Sequence, residues 1–172
     1  MTVLSKKLML LGEIGVGKTS LVRRFILNEF SHEYRPTMGV DIYRHRVQGL
    51  GPDGRQSLEL VIWDIDGNFG QSIFRHVYSR GASGALIVGD LTRGPTLDQM
   101  AKLAAGFEET LPGRFYAYVL NKTDLAGKRE FVELPDVIAN AQKPPTWTSA
   151  MLGEIVPELF RDAADTILRR EI

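Results

Sequence analysis

The sequence predicts an α/β fold of three layers, with a six-stranded, mostly parallel sheet, one antiparallel strand and helices on both faces. Three observations carry this. Short apolar runs alternate with amphipathic runs along the chain, the pattern of a sheet held between helices. A glycine-rich turn, Gly12-Glu13-Ile14-Gly15-Val16-Gly17-Lys18-Thr19, follows the apolar run Leu8-Met9-Leu10-Leu11 and leads into Thr19-Ser20-Leu21-Val22, which can open a helix. Gly51-Pro52-Asp53-Gly54 separates two strand-like segments, and a Pro-Asp-Gly turn folds such segments back as an antiparallel hairpin.

Element by element, Lys6–Leu11 is the first strand and Lys18–Leu27 the first helix. Val40–Val47 and Leu58–Ile65 are the two strands of the hairpin. Gly84–Asp90 is continuously apolar, as a strand covered on both faces should be. Leu97, Met100, Ala101, Ala104 and Phe107 recur at helical spacing, so Pro95–Thr110 is an amphipathic helix that Pro112-Gly113 stops. Phe115–Leu120 is a second buried strand and Pro135–Ala141 a short helix. Pro144-Pro145 breaks the chain before a short strand at Thr146-Trp147-Thr148. Ile155, Val156, Leu159, Phe160, Ala163 and Ile167 form the apolar stripe of the last helix. A length of 172 residues suits one domain, residues 1–172, with enough chain to bury a substantial core.

Composition excludes several function classes. Lys plus Arg and Asp plus Glu both number 21, so no excess charge points to a nucleic-acid partner. There are no cysteines, hence no disulfide framework, no Cys-based metal site and no prenylated or palmitoylated residue. Thr2 in place of glycine excludes N-myristoylation. No apolar stretch reaches membrane-spanning length, and no signal peptide is visible. The expectation is a cytoplasmic monomer with no direct membrane anchor in this chain.

The glycine-rich turn carries the chemistry. Its backbone N–H groups can converge as a nest for phosphate oxygens, and the following helix adds its positive end. Lys18 can reach the β and γ phosphates, and the Thr19 hydroxyl can ligate Mg²⁺. Asn121-Lys122-Thr123-Asp124 directly follows the strand Phe115–Leu120, beside the phosphate loop at the carboxyl edge of the sheet. A carboxylate there can accept from both N1–H and the 2-amino group of guanine. Adenine lacks that donor pair and would leave the carboxylate unpaired, so the site should reject it.

These segments, together with Pro36-Thr37, Trp63-Asp64-Ile65-Asp66-Gly67 and Thr148-Ser149-Ala150, occur in the order and spacing of the Ras-superfamily small GTPases. The chain resembles that superfamily over essentially its whole length, and the fold implied is the Ras-like P-loop NTPase fold. Gly15-Val16-Gly17-Lys18-Thr19-Ser20-Leu21, Pro36-Thr37-Met38-Gly39-Val40-Asp41, Tyr78-Ser79-Arg80-Gly81-Ala82 and the opening of the last helix look most like the Rab branch.

The resemblance implies GTP or GDP with Mg²⁺ as ligands, and an effector, an exchange factor and a GTPase-activating protein as partners. Thr37 should bind Mg²⁺ through its hydroxyl and the γ-phosphate through its N–H, closing switch I in the GTP state. Asp64 should hold Mg²⁺ through a water. Gly67 should donate its N–H to the γ-phosphate and hinge switch II. Phe30 falls where an aromatic lies against guanine, and Tyr34 where a tyrosine covers the phosphates. Ala150 should offer its N–H to guanine O6. Glu13, Ser20, Leu125, Ser149 and Met151 complete the implied nucleotide contacts, and Lys18, Thr37, Gly67 and Asn68 the catalytic set. Two segments tied to one γ-phosphate relax when it leaves, which makes a switch.

The sequence also departs from the family pattern. Asn68 stands where a glutamine orients the attacking water; its amide falls short by about an ångström, and misplacement on that scale can cost about 100-fold in rate. Asp66 replaces a small residue and puts a carboxylate near the γ-phosphate. Ile14 occupies a loop position that is commonly Gly or Ser, and its β-branched side chain crowds the space of the attacking water or of an arginine finger. The expectation is slow intrinsic hydrolysis with hindered arginine-finger activation. Gln71, Arg75 or His76 near switch II, or Arg35 on switch I, are alternatives for orienting the water. A GTP-binding interaction module with negligible hydrolysis is the second reading. An ATP-driven machine is disfavoured by Asp124. Met151 replaces a frequent lysine, with only a modest effect expected on guanine binding. Trp63 and Trp147 are expected to pack, His32, His45 and His76 to be solvated, and Arg169-Arg170 to be too short for a membrane-binding patch.

Overall fold

The computed structural model describes residues 4–67 and 77–170. Six strands form one sheet in the order β2-β3-β1-β4-β5-β6. They are β1 (Ser5–Leu11), β2 (Val40–Leu50), β3 (Gln56–Ile65), β4 (Ala82–Asp90), β5 (Phe115–Asn121) and β6 (Thr146–Trp147). Only the β2–β3 pair is antiparallel; every other pairing is parallel. The helices among the described residues are α1 (Lys18–Leu27), α2 (Gly94–Thr110), α3 (Asp136–Ala139) and α4 (Val156–Arg169), with a short 3₁₀ turn at Arg129–Phe131. The three-layer α/β architecture read from the sequence is therefore the observed one.

Strand periodicity explains how both faces are covered. Leu8 and Leu10 of β1, Leu86 and Val88 of β4, and Ala117 and Val119 of β5 face one core, packed with Leu21 and Val22 of α1 and Val156, Leu159, Phe160 and Ala163 of α4. Their neighbours Met9, Leu11, Ala85, Ile87, Tyr118 and Leu120 face the other core, with Leu97, Met100, Ala104 and Phe107 of α2 and Ile138 of α3. Successive side chains of a strand point to opposite faces, so a fully covered strand is apolar along most of its length. All nine residues of β4 are buried. Each large side chain buried this way contributes about 1.5–3 kcal/mol, which fixes the sheet as a rigid platform for the loops at its carboxyl edge.

Several boundaries differ from the sequence reading, for physical reasons. The β2 strand runs to Leu50 rather than Val47, because Gly49 takes a positive φ of 69° and lets the ladder shift register between Gln48 and Leu50. The hairpin turn closes with Gly54 N–H donating to Gly51 O at 3.2 Å. The α4 helix seats this turn: Asp165 accepts the Gly51 N–H at 2.9 Å, and Arg161 donates to Gln48 O at 3.2 Å. Helix α3 has four residues instead of the seven of Pro135–Ala141; both the backbone N–H and the side-chain amide of Asn140 converge on Asp136 O and end it. Ile155 precedes α4 in a left-handed conformation (φ 60°) and is exposed, so it is not part of the apolar stripe.

His45 is not simply solvated: it is half-buried, with its ring edge-on to Phe25 at 4.6 Å. His32 is exposed. Trp63 and Trp147 pack, the first under the Lys7 ammonium 3.5 Å from its ring centroid and the second beneath Arg129. Arg169 pairs with Asp165, and Arg170 donates to Gly113 O. Among the described residues, no helix is long and apolar enough to cross a membrane.

Candidate nucleotide site

The loop after β1, Gly12 to Gly17, turns at the carboxyl edge of the sheet, between the ends of β3 and β4. Such an edge is where open α/β sheets bind ligands. Each of its carbonyls has a donor. Lys18 Nζ reaches Gly12 O and Glu13 O, both at 2.8 Å. Arg93 Nη2 reaches Ile14 O at 2.8 Å, Lys122 Nζ reaches Gly15 O at 2.9 Å and Asn121 Nδ2 reaches Val16 O at 3.0 Å. Gly17 O takes the Leu21 N–H as the first bond of α1. By contrast, no N–H from Glu13 to Gly17 donates to a backbone carbonyl among the described residues. The loop has its acceptors satisfied by protein and its donors left for a ligand, the arrangement an oxyanion needs. Glycine is required at Gly17: its φ is 103°, and a Cβ there would lie 2.2 Å from Asn121 Nδ2.

Burial, aided by the Arg93 charge, lowers the Lys18 pKa to about 8 against the opposing negative fields of Asp64 and Asp66. An anion bound beside this ammonium would oppose that lowering and favour the charged form. The loop borders a cavity of about 840 Å³, whose walls come from α1, the segment after it and the loops following β5 and β6.

Thr19, Thr37 and Asp64 meet at one wall. The Thr19 hydroxyl donates to Asp64 Oδ2 at 2.5 Å and lies 2.8 Å from the Thr37 hydroxyl. Asp64 is fully buried, and its Oδ1 has no hydrogen-bond partner among the described residues. Burial raises the Asp64 pKa to about 6, while the Thr19 hydroxyl and the Lys18 charge oppose the rise. An orphaned buried carboxylate oxygen beside two hydroxyls is a donor set of hard oxygens, which fits Mg²⁺ and its shell of waters.

At the other end of the cavity, Asp124 Oδ1 accepts the Ser149 hydroxyl at 2.6 Å, and Ser149 Oγ accepts the Leu152 N–H at 3.0 Å. Asn121 Oδ1 accepts the Thr148 hydroxyl and the Ala150 N–H, both at 3.2 Å. One amide thus ties the phosphate loop to the loop after β6. Phe30, Tyr34, Leu125, Ala150 and Met151 line the space in between. Tyr34 is exposed and sits over the loop, with its ring 3.8 Å from where a Gly15 Cβ would stand.

Most sequence-selected residues converge here: Ile14, Gly15, Gly17, Lys18, Thr19, Ser20, Thr37, Gly67, Asn121, Lys122 and Asp124 also border the cavity. Val16 turns inward instead and is fully buried in the core beneath the loop. Gly12 and Ser149 are likewise buried behind the surface. Ile14 lies at the cavity wall, 36 % exposed. Asp66 is at the wall too, with its N–H donating to Gly39 O at 2.9 Å, joining the start of switch II to the end of switch I. Asn68, Gln71, Arg75 and His76 lie outside the described residues.

Three residues that matter were missed by sequence reasoning. Arg24 of α1 donates to Ala150 O at 2.8 Å and to Met151 O at 2.6 Å, holding the loop after β6. Asp90, at the end of β4, and Arg93 support the outer side of the phosphate loop. Arg24 and Arg93 act on loops far away in sequence, so no local pattern shows what they hold.

The Ras family model matches residues 7–169 of the chain. Among curated relatives, Ras-related protein Rab-17 of Homo sapiens is 36 % identical over 168 residues, covering 95 % of this chain and 77 % of that protein. Ras-related protein Rab-4B of Rattus norvegicus is 35 % identical over 171 residues, covering 95 % and 76 %. GTP-binding protein ypt5 of Schizosaccharomyces pombe is 34 % identical over 161 residues, covering 91 % and 75 %. With the phosphate loop, the buried carboxylate and the six-stranded sheet all in place, the chain belongs to the Ras family and is a Rab-like small GTPase.

Proposed function

We propose that this small GTPase is a Mg²⁺-dependent GDP/GTP switch with slow intrinsic hydrolysis, which recruits effectors through switch I and switch II. The observation that carries the reading is the meeting of Thr19, Thr37 and Asp64, with Asp64 Oδ1 left without a partner. Thr37 belongs to a segment that must move to make or break this contact, so a shared cation couples segment position to the ligand. In the proposed complex the loop N–H groups and Lys18 hold the phosphates, and Asp124 reads guanine. Mg²⁺, when bound, would neutralise phosphate charge. Lys18 and the loop N–H groups would stabilise the charge that develops on the phosphoryl oxygens. The Ala150 N–H, already directed at Asn121 Oδ1, would be shared with guanine O6.

Two exposed side chains in the segment that follows Thr37 support effector binding: Met38 is 87 % and Ile42 52 % exposed. An exchange factor would load GTP, and a GTPase-activating protein would have to work around Ile14. The test of the binding reading is fluorescence of mant-GDP and mant-GTP in Mg²⁺, with and without excess EDTA, and with ATP as competitor. The expected result is saturable binding that EDTA weakens and ATP leaves unchanged. Equal competition by ATP would contradict it.

Gly67 offers a sharper test of the switch. A Cβ at this position would stand 2.4 Å from Ile14 N and 2.6 Å from the Glu13 carbonyl carbon. Both are backbone atoms, so nothing can swing aside. Gly67→Ala therefore pushes the start of switch II off the loop and removes its N–H from the γ-phosphate. Loss of one charge-assisted hydrogen bond should weaken GTP about tenfold or more, with GDP affected less. A parallel titration of both nucleotides reads the ratio; an unchanged ratio would contradict the role given to Gly67.

Ile14 at the cavity wall also favours the second reading, a GTP-binding interaction module with negligible hydrolysis. A single-turnover rate separates the two.

A further inference from the structure

We propose that Arg93, anchored on Asp90, is a positioning residue for the phosphate loop and sets how long a bound nucleotide stays. The proposal rests on the guanine-nucleotide reading given above. Among the loop carbonyls, Ile14 O is served by a side chain that none of the sequence motifs includes. Arg93 Nη2 donates to it at 2.8 Å, while Arg93 Nε donates to Asp90 Oδ2 at 3.0 Å. One planar guanidinium thus bridges the end of β4 and the exposed crest of the loop, a two-point contact that a point charge such as a lysine ammonium makes only in part.

Asp90 is built to hold this bridge. It is 1 % exposed, and four donors converge on it. Oδ2 takes Arg93 Nε and, at 2.7 Å, Lys122 Nζ; Oδ1 takes the Thr92 N–H at 2.9 Å and the Thr92 hydroxyl at 2.6 Å. Lys122 in turn serves Gly15 O. A single buried carboxylate therefore fixes both cations that hold the crest of the loop, Ile14 O and Gly15 O. Burial raises the Asp90 pKa, but the hydrogen bonds from Lys122, Thr92 and Arg93 outweigh it and keep the carboxyl below its ordinary range. A depressed folded-state pKa means the anchor is fully charged at neutral pH and is lost only as pH falls through that lowered value.

The link to ligand lifetime is geometric. Peptide units at the crest must keep their carbonyls outward for their N–H groups to face the phosphates. If Ile14 O loses its donor, the peptide gains freedom to rotate and the N–H it presents to the ligand is no longer preorganised. The expected effect is on release of nucleotide rather than on the fold, because the Arg93 side chain is 43 % exposed and stands outside both cores.

The experiment is release of mant-GDP, in Mg²⁺, from the loaded full chain chased with excess GDP, for wild type, Arg93→Ala, Arg93→Lys and Asp90→Asn. Thermal midpoints are recorded beside it. Arg93→Ala is expected to speed release about tenfold, the scale of one hydrogen bond to a charged group. Arg93→Lys should fall between Arg93→Ala and wild type, and the midpoint of the Arg93→Ala protein without nucleotide should stay close to wild type, because weaker binding lowers only the loaded midpoint. Asp90→Asn should speed release at least as much, because it loosens Lys122 as well as Arg93, and adding Arg93→Ala to it should add little, since Arg93 acts through Asp90. Release from Arg93→Ala within about twofold of wild type, well under one such hydrogen bond, would overturn the proposal. So would a lysine variant no better than alanine, or a midpoint without nucleotide that falls in step with faster release, which would mean a structural role only. A wild type that takes up no mant-GDP would overturn the guanine-nucleotide reading itself, a result distinct from normal uptake with unaltered release.

Discussion

Asp124→Asn should lower affinity for GDP and GTP by about 100-fold or more. The carboxylate lies at the base end of the cavity, fixed by the Ser149 hydroxyl on Oδ1. It is expected to accept two hydrogen bonds from guanine, N1–H and the 2-amino group. Hydrogen bonds to a charged acceptor contribute about 1.5–3 kcal/mol each, and every 1.4 kcal/mol is tenfold in affinity. Asparagine removes the charge, and its amide can turn a donor toward donors. Ser149 keeps an acceptor, so the loop geometry should survive the change. Titration with mant-GDP measures the loss directly, and a change smaller than about tenfold would mean that Asp124 does not read the base through two charged hydrogen bonds.

Lys18→Met is the second large expected effect. Lys18 is 6 % exposed, and its ammonium is shared between Gly12 O and Glu13 O. Methionine fills similar space but supplies no donor, so the buried Gly12 carbonyl and the half-buried Glu13 carbonyl lose their partner and a bound phosphate would lose a fixed charge. Affinity for GDP and GTP should both fall about 100-fold or more, since charge-assisted hydrogen bonds are roughly twice as strong as neutral ones and several go at once. The same mant titration checks it, with a thermal scan to confirm folding. Retained affinity in a folded Lys18→Met protein would show that the loop N–H groups alone suffice.

The two residues also show what was legible in the sequence. Lys18 and Asp124 stand in contiguous segments whose spacing and flanking strands carry their own meaning, and the structure brings both segments to one cavity. The sheet was legible for a related reason: β4 and β5 are mainly apolar and almost wholly buried, and the Pro-Asp-Gly turn dictates the one antiparallel pair. Element ends were less so. The bulge at Gly49 and the four-residue α3 depend on local hydrogen bonds that periodicity does not register. His45 looked solvated because its strand neighbours are polar, yet Phe25 of α1 lies against its ring. The supporting residues were the least visible. Arg93 lies 79 residues from Ile14, and Arg24 lies 126 residues from Ala150; each is an ordinary charged residue until the fold closes. Coupling of this kind is a property of tertiary contact, so a single sequence holds no local mark of it.

As proposed, the protein is a GTP-operated switch whose own residues slow its chemistry. Ile14 and Asp66 both stand at the wall of the cavity, and Asn68 follows Gly67 in the chain. The most direct measurement is a single turnover of radiolabelled GTP in Mg²⁺ without partners, run for wild type, Asn68→Gln and Ile14→Gly. The expected result is a nearly inert wild type and a glutamine variant faster by up to about 100-fold, the cost of misplacing the amide by roughly an ångström, with Ile14→Gly adding to the gain. Brisk hydrolysis by the wild type, unchanged in Asn68→Gln, would contradict the claim and assign the water to another residue.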